Sequence, residues 1–391
     1  MRGSFEPAVV RLAVAFITLA GVAAPLAAQG PTFNDVPFAV VPRDAGGTVT
    51  LLMDIYSALP GFPGPRPLVI WIHGGGWQGG TQDGVPGGVL ALRTYGYAVA
   101  SISYRLSGDA IFPAQIFDVK GAVRYLRANA ATYNLDPSRF ASWGSSAGGH
   151  LSALLATSAG VAALEGTTGG NPALSSAVQV CVDYFGPTDI LNMNLDVTTP
   201  PGSTLDHDSP ASPESHLVGW DGTGQGIGDI RANQSNPAAP YPALVALCMQ
   251  VNPITWLQPG DPPTFIAHGL VDTTVPMMQS TRLANALVAN SIAVEYHQIP
   301  GAGHGVGFPP EIDVAAQSFI MARFGAPLLH GDMNCDGILN NADVAPFVQR
   351  LVRPTAYTAQ HVLCNVLNGD MNGDDRVDGA DVEPFVEALV P

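Results

Sequence analysis

The sequence predicts an α/β architecture, a mainly parallel sheet covered by helices on both faces, followed by a small α-helical module. Three observations carry that reading. Between residues 67 and 330 short apolar runs alternate with segments of helical spacing, as a parallel sheet with helical crossovers requires. Hydrophobic residues make up 47% of the chain and charged ones 12%, against a typical charged share of about 25%, so a large core is available. Beyond His330 the composition turns acidic, with ten Asp or Glu against three Arg over residues 328–391, and a loop-plus-helix pattern occurs twice.

A length of 391 residues allows two or three domains at roughly 150 residues each. The chain divides into residues 1–28, 29–327 and 328–391. In the first segment Arg2 and Arg11 precede an apolar run over residues 12–24, and small residues at Ala27 and Ala28 allow cleavage before Gln29. This is the layout of a secretory signal peptide. A membrane anchor is the competing reading, but the run is shorter than the ~20 residues a span needs. The expectation is a secreted protein, extracellular or held at the cell surface, with no membrane segment after cleavage. The net charge of −16 excludes nucleic-acid binding, which draws on clusters of Lys and Arg.

Within residues 29–327, strands are predicted at 68–72, 97–104, 140–143, 178–184, 264–268 and 294–299. Residues 115–131 carry apolar side chains at helical spacing (Ile116, Val119, Val123, Leu126), and a second helix runs through Leu151, Leu154 and Leu155. Between 191 and 241 periodicity lapses in a stretch rich in Pro, Gly, Ser, Asn and Asp. It is too long for an ordinary connection. Because it follows the C-terminal end of a strand, where α/β proteins bind ligands, it reads as an irregular insertion over the active site, a candidate lid.

Gly144-Ser145-Ser146-Ala147-Gly148 fits the G-x-S-x-G nucleophile elbow, between a strand and a helix as that motif requires. The turn must be sharp enough to expose one serine, and only small residues fit two positions to either side. Ser146 is the nucleophile on this reading, and Ser145 is out of register. His73-Gly74-Gly75-Gly76-Trp77 follows another strand. Its glycines let backbone N–H groups approach a developing oxyanion, with the N–H after the nucleophile as a further donor. Gly75, Gly76 and Ala147 are the candidate donors. A phosphate loop is the competing reading, but neither the Walker spacing nor its lysine is present. His73 reads as a brace for the loop.

A serine hydroxyl needs a histidine to take its proton and a carboxylate to hold that histidine's tautomer. The chain order Ser, acid, His points to Asp272, on the loop after the 264–268 strand, and to His304 in Pro300-Gly301-Ala302-Gly303-His304-Gly305. Asp183 and Asp189 are rival acids that also follow a strand. The remaining histidines, among them His150, His207 and His268, read as ordinary polar residues.

The His73–Trp77 loop, Tyr104-Arg105-Leu106, Phe112-Pro113-Ala114-Gln115 with Asp118-Val119-Lys120, the elbow, and the Asp272 and His304 loops together resemble the BD-FAE and hormone-sensitive-lipase-like branch of α/β hydrolases. The resemblance covers residues 38–324. It implies the α/β-hydrolase fold and a carboxylesterase that acts through an acyl-enzyme, with feruloyl or acetyl esters of plant polysaccharide as the branch's frequent substrates. The 191–241 insertion departs from compact members and leaves the substrate open.

In the C-terminal segment, Asp332, Asn334, Asp336, Asn340 and Asp343 fall at positions 1, 3, 5, 9 and 12 of an EF-hand-like loop, with the Ile338 carbonyl at position 7 and Gly337 at the turn. Asp370, Asn372, Asp374, Asp378 and Asp381 repeat those positions, with the Arg376 carbonyl at 7 and Asp375 in place of the turn glycine. Hard oxygens at this spacing suit calcium; a merely solvated acidic tail would not duplicate both ligands and helices. The tandem resembles a type I dockerin, which implies structural calcium and a cohesin-like partner. Catalysis itself calls for no cofactor. Four cysteines admit three pairings. Cys335 with Cys364 and Cys181 with Cys248 is the simplest set, with Cys181 alternatively a buried thiol in a strand.

Two other functions compete. A serine peptidase of the prolyl-oligopeptidase type shares the triad, but no propeller repeats precede the catalytic segment. An inactive adhesion protein has no reason to keep nucleophile, acid, base and oxyanion loop together.

Overall fold

The computed structural model describes residues 30–390 apart from 60–61, 63, 198–204, 326–328, 337, 362–363 and 375. The signal-peptide segment and the turn positions Gly337 and Asp375 therefore lie outside the described residues. Eight strands form one sheet: β1 (Phe33–Pro42), β2 (Thr48–Tyr56), β3 (Arg66–Ile72), β4 (Ala98–Ile102), β5 (Leu135–Ser145), β6 (Val180–Tyr184), β7 (Thr264–Gly269) and β8 (Val294–Ile299). Their order is β1-β2-β4-β3-β5-β6-β7-β8, parallel from β4 onward. β1 and β2 add an antiparallel edge that the strand pattern of the sequence does not predict.

Strand geometry explains why both faces are covered. Along β3, Leu68, Ile70 and Ile72 enter one core, while Val69 and Trp71 enter the other. Alternate residues of a strand point to opposite faces, so a continuous apolar run serves two helical layers at once. The first core receives Ile116, Val119, Val123 and Leu126 from the helix Ala114–Ala128, and Leu151, Leu154 and Leu155 from Ala147–Thr157. The second receives Ile312, Ala316, Phe319 and Ile320 from Pro310–Phe324. Each fully buried side chain of this size contributes about 1.5–3 kcal/mol.

The insertion differs from the irregular loop expected. Short helices occupy Met193–Asp196, Pro213–Leu217 and Ile227–Ala232. Local capping rather than periodicity makes the second: the Ser212 hydroxyl accepts the N–H of Ser215 at 3.1 Å, and Pro213 occupies the first turn, where its missing N–H costs nothing.

Residues 329–390 form helices at Val344–Val352, Pro354–Gln360 and Val382–Leu389 around Met333, Phe347, Tyr357 and Phe385. The two repeats meet at corresponding positions, with the Phe347 and Phe385 rings stacked at 4.0 Å. Cys335 and Cys364 are disulfide-bonded. The Cys181–Cys248 pairing is corrected: both are free and buried. Cys181 points from β6 at the Ser152 hydroxyl, Sγ to Oγ 3.5 Å, and Cys248 sits in the helix Tyr241–Val251. Burial pushes both thiols up to about 12.

Candidate functional site

β5 ends at Ser145 and a helix starts at Ala147, so Ser146 occupies the turn between them with φ 55°. An L-residue held there costs on the order of 1–3 kcal/mol. The Ser146 N–H donates to the Tyr184 carbonyl at 2.8 Å, tying the elbow to β6. The flanking glycines are a steric requirement. A side-chain carbon on Gly144 would lie 2.1 Å from the Gly148 carbonyl oxygen, and one on Gly148 would lie 2.0 Å from that of Ile72.

Ser146 Oγ lies 3.0 Å from His304 Nε2, and His304 Nδ1 lies 2.8 Å from Asp272 Oδ2. The sequence-predicted triad thus meets in space from three strand ends: β5, β7 and β8. Asp272 is nearly fully buried. Its Oδ1 accepts the backbone N–H groups of Thr274 at 2.8 Å and Val275 at 3.0 Å. Burial raises its pKa, but hydrogen bonds from His268 and His304 and their charges outweigh it and hold the carboxyl well below the usual carboxylate range. The His304 ring also rests edge-on against Phe185, centroids 4.6 Å apart.

The rival acids are elsewhere. Asp183 Oδ1 accepts the N–H of Gly186 at 2.9 Å, and burial pushes its pKa up to about 7. Asp189 accepts from the amides of Asn192 and Asn252.

Gly75, Gly76 and Ala147 all line the same cavity as Ser146 and His304, of about 490 Å³. Gly75 and Gly76 have φ of 108° and 58°, backbone that favours glycine. Ala147 opens its helix, where an N–H has no intrahelical acceptor. His73 braces this loop, stacked on Tyr104 at 4.4 Å with Nδ1–H donating to the Gly74 carbonyl at 2.8 Å.

Three histidines do more than their sequence context indicates. His150 accepts the indole N–H of Trp77 at 3.2 Å and donates to the Val251 carbonyl at 2.8 Å, and burial pushes its pKa down to about 4. His268 Nε2 lies 3.0 Å from the Val275 carbonyl and 3.3 Å from Asp272 Oδ2. His207, from the insertion, lines the catalytic cavity beside Glu214. No local motif marks these partnerships: those of His150 join segments far apart in the chain, that of His207 lies within the aperiodic insertion, and those of His268 depend on the turn that folds residues 269–275 back on it.

In the C-terminal repeats one hydrogen-bond scaffold occurs twice. Asp343 Oδ1 accepts the N–H groups of Met333 and Asn334, and its Oδ2 that of Asn340. Asp381 does the same with Met371, Asn372 and Asp378. Asp332 and Asn334 each accept from Asp336 N–H, as Asp370 and Asn372 do from Asp374. Asp336 accepts from Ile338 and Asp374 from Arg376. The side-chain amide of Asn340 donates to the Ile338 carbonyl. Among the described residues, no three or more His, Cys, Asp or Glu side chains form a cluster that could hold a metal ion by themselves. Each loop's donor set also includes Asn side chains and a backbone carbonyl, oxygen ligands of the kind that suit calcium.

The family model BD-FAE matches residues 53–287, more than half of the 391-residue chain. Esterase LipQ of Mycobacterium tuberculosis is 31% identical over 269 residues, 68% of this chain and 56% of that protein. A truncated carbohydrate esterase from gut microbiota superposes with a TM-score of 0.62 at 29% identity, covering 75% of this chain and 99% of that one. A bifunctional GH43-CE protein of Bacteroides eggerthii gives 0.59 at 33% identity, over 75% of this chain and 38% of that one. The chain spans about half the length of the curated relatives it matches first. The eight-stranded, mostly parallel sheet is that of the α/β hydrolases. By the extent of the family match, the chain belongs to the BD-FAE family.

Proposed function

We propose that this chain is a secreted serine carboxylesterase acting on feruloyl or acetyl esters of plant polysaccharide. The observation that carries the reading is His304 bridging Ser146 at 3.0 Å and Asp272 at 2.8 Å at the wall of one cavity. With Nδ1–H donated to Asp272, Nε2 is free to take the Ser146 hydroxyl proton as Oγ attacks the ester carbonyl. The charge that develops on the carbonyl oxygen is met by the Gly75, Gly76 and Ala147 N–H groups. His304 then returns the proton to the departing alcohol, leaving an acyl-Ser146. Water, deprotonated by the same histidine, releases the acid.

Carbohydrate esterases among the structural neighbours support a saccharide-linked ester. The signal-like residues 1–28 and the Cys335–Cys364 disulfide support an oxidising, extracellular setting. The repeated loops support structural calcium, held by Asp332, Asn334, Asp336, Ile338, Asn340 and Asp343 and by Asp370, Asn372, Asp374, Arg376, Asp378 and Asp381. Calcium supplies charge that neutralises crowded carboxylates, and the module would dock a cohesin-like partner. The test is a panel of p-nitrophenyl acetate, methyl ferulate, acetylated xylan and a prolyl peptide. Hydrolysis of an ester, lost in Ser146→Ala, is expected; cleavage of the peptide alone would overturn the proposal.

A further inference from the structure

The insertion brings a buried polar pair to the catalytic cavity. His207 and Glu214 are 1% and 2% exposed, and both line the cavity that holds Ser146 and His304. His207 Nδ1 lies 3.1 Å from Glu214 Oε1. Among the described residues, the two other polar atoms, His207 Nε2 and Glu214 Oε2, have no hydrogen-bond partner. Other buried atoms, such as Ser101 Oγ and Arg93 Nη1, are also unpaired, but only these two belong to residues that line the cavity of Ser146, and their place there points to a ligand as the partner. The pair is fixed from several sides. The His207 N–H donates to Asn194 Oδ1 at 2.9 Å, and Glu214 follows Pro213, which lies 3.3 Å from where a side-chain carbon on Gly76 of the oxyanion loop would stand.

We infer that His207 and Glu214 form a specificity site that binds adjacent hydroxyl groups of a polyol alcohol in the ester substrate. The chemistry follows from the donor and acceptor inventory. With Nδ1–H donated to Glu214, Nε2 is an acceptor and Oε2 a second one; with the imidazole protonated, Nε2 becomes a donor. A hydroxyl both donates and accepts, so a vicinal diol satisfies the pair in either state. An alkyl alcohol satisfies neither atom. A phenolic acyl group offers one hydroxyl where two atoms need partners, which favours the sugar side of the ester over the acyl side. This inference rests on the esterase reading and names its substrate class.

The test is the ratio of kcat/KM for acetylated methyl xyloside to that for p-nitrophenyl acetate, measured for the full chain and for Glu214→Gln and His207→Gln. The ratio is expected to fall at least tenfold in each variant, chiefly through KM. A merely structural role would lower both rates together, and an unchanged ratio would overturn the inference. A fall confined to methyl ferulate relative to methyl cinnamate would assign the pair to the acyl group and refute the polyol assignment. A measurement without variants guards against misfolding: methyl xyloside should inhibit the unaltered enzyme competitively and cyclohexanol should not, and equal inhibition would again overturn it. If the unaltered enzyme fails on p-nitrophenyl acetate, the esterase reading itself fails, which is a separate outcome.

Discussion

Replacing Asp272 by Asn tests the catalytic geometry at its most constrained point. Asp272 Oδ1 accepts two backbone N–H groups, at 2.8 and 3.0 Å, so the amide oxygen of an asparagine must occupy that place. Its NH₂ then takes the position of Oδ2, 2.8 Å from His304 Nδ1. Nδ1 must become the acceptor, the ring proton moves to Nε2, and Nε2 can no longer take the proton of Ser146. The tautomer error in such triads lowers kcat about 10⁴-fold, or about 5.5 kcal/mol. KM should change little, because Asp272 Oδ2 faces histidines rather than the cavity. Stability should fall as well, since His268 Nε2–H, 3.3 Å from Oδ2, would face an NH₂ group. The folded carboxyl is held below its ordinary value of 3.8, so its stabilisation is present above that pH and is lost as pH falls through the folded value. The variant should therefore show a shallower acid-side fall in melting temperature than the unaltered chain. Asp136 and Glu165, in which burial is likewise outweighed by hydrogen bonds and ion pairs that hold them below the usual range, supply the slope that remains. The assay is p-nitrophenyl acetate turnover at neutral pH with melting curves across the acid range. Retention of more than a tenth of kcat, or a larger loss in Asp183→Asn or Asp189→Asn, would refute the assignment.

Ser146→Ala and His304→Ala should each lower kcat by about three orders of magnitude or more, and the double variant should be little worse, because the residues act as a unit; additive losses would argue against a shared step. Gly148→Ala places a carbon 2.0 Å from the Ile72 carbonyl oxygen and should cost more than about 3 kcal/mol in urea unfolding, with a change under about 1 kcal/mol refuting the steric account of the elbow. Calcium should raise a calorimetric transition of the C-terminal module in the full chain, reversed by EDTA, with esterase activity changed less than twofold. An identical thermogram in chelator would sink the calcium reading. Asp336→Ala should lower that transition more than Asp374→Ala, since the second loop carries Asp375 where the first has Gly337.

How much of this was legible in the sequence depended on whether the signal was local. The elbow and the oxyanion loop are contiguous motifs, and the acid and base follow strands in a fixed chain order, so Ser146, Asp272 and His304 could be named before any geometry was known. β1 and β2 could not. The register of β1 on β2 shifts between Phe33 and Val36 and again between Pro37 and Ala39, and each shift breaks the alternation that marks a strand. The helices of the insertion are four to six residues long, too short to complete the repeat that reveals an amphipathic face. Cysteine arithmetic favoured two disulfides, but it carries no information on distance, and Cys181 is committed to Ser152 across the β6–helix interface. The His268–Asp272 and His207–Glu214 partnerships depend on turns that only the folded backbone specifies.

The site is built on two supports of different character. Its chemistry is fixed to the sheet and the loop after β7: Ser146 to Tyr184 on β6, Gly148 against Ile72 of β3, and Asp272 to the amides of its own loop. Its cavity wall comes in part from the insertion, through Leu205, His207, Pro213 and Glu214. That wall is held by separate contacts: Arg231 pairs with Asp208, Arg282 pairs with Asp196 at 2.6 Å, and the Phe112 N–H donates to the Leu217 carbonyl at 2.8 Å. None of these contacts passes through the triad. If the insertion wall holds the alcohol group as inferred above, a substitution there should change substrate preference while leaving the distances Ser146–His304 and His304–Asp272 as they are.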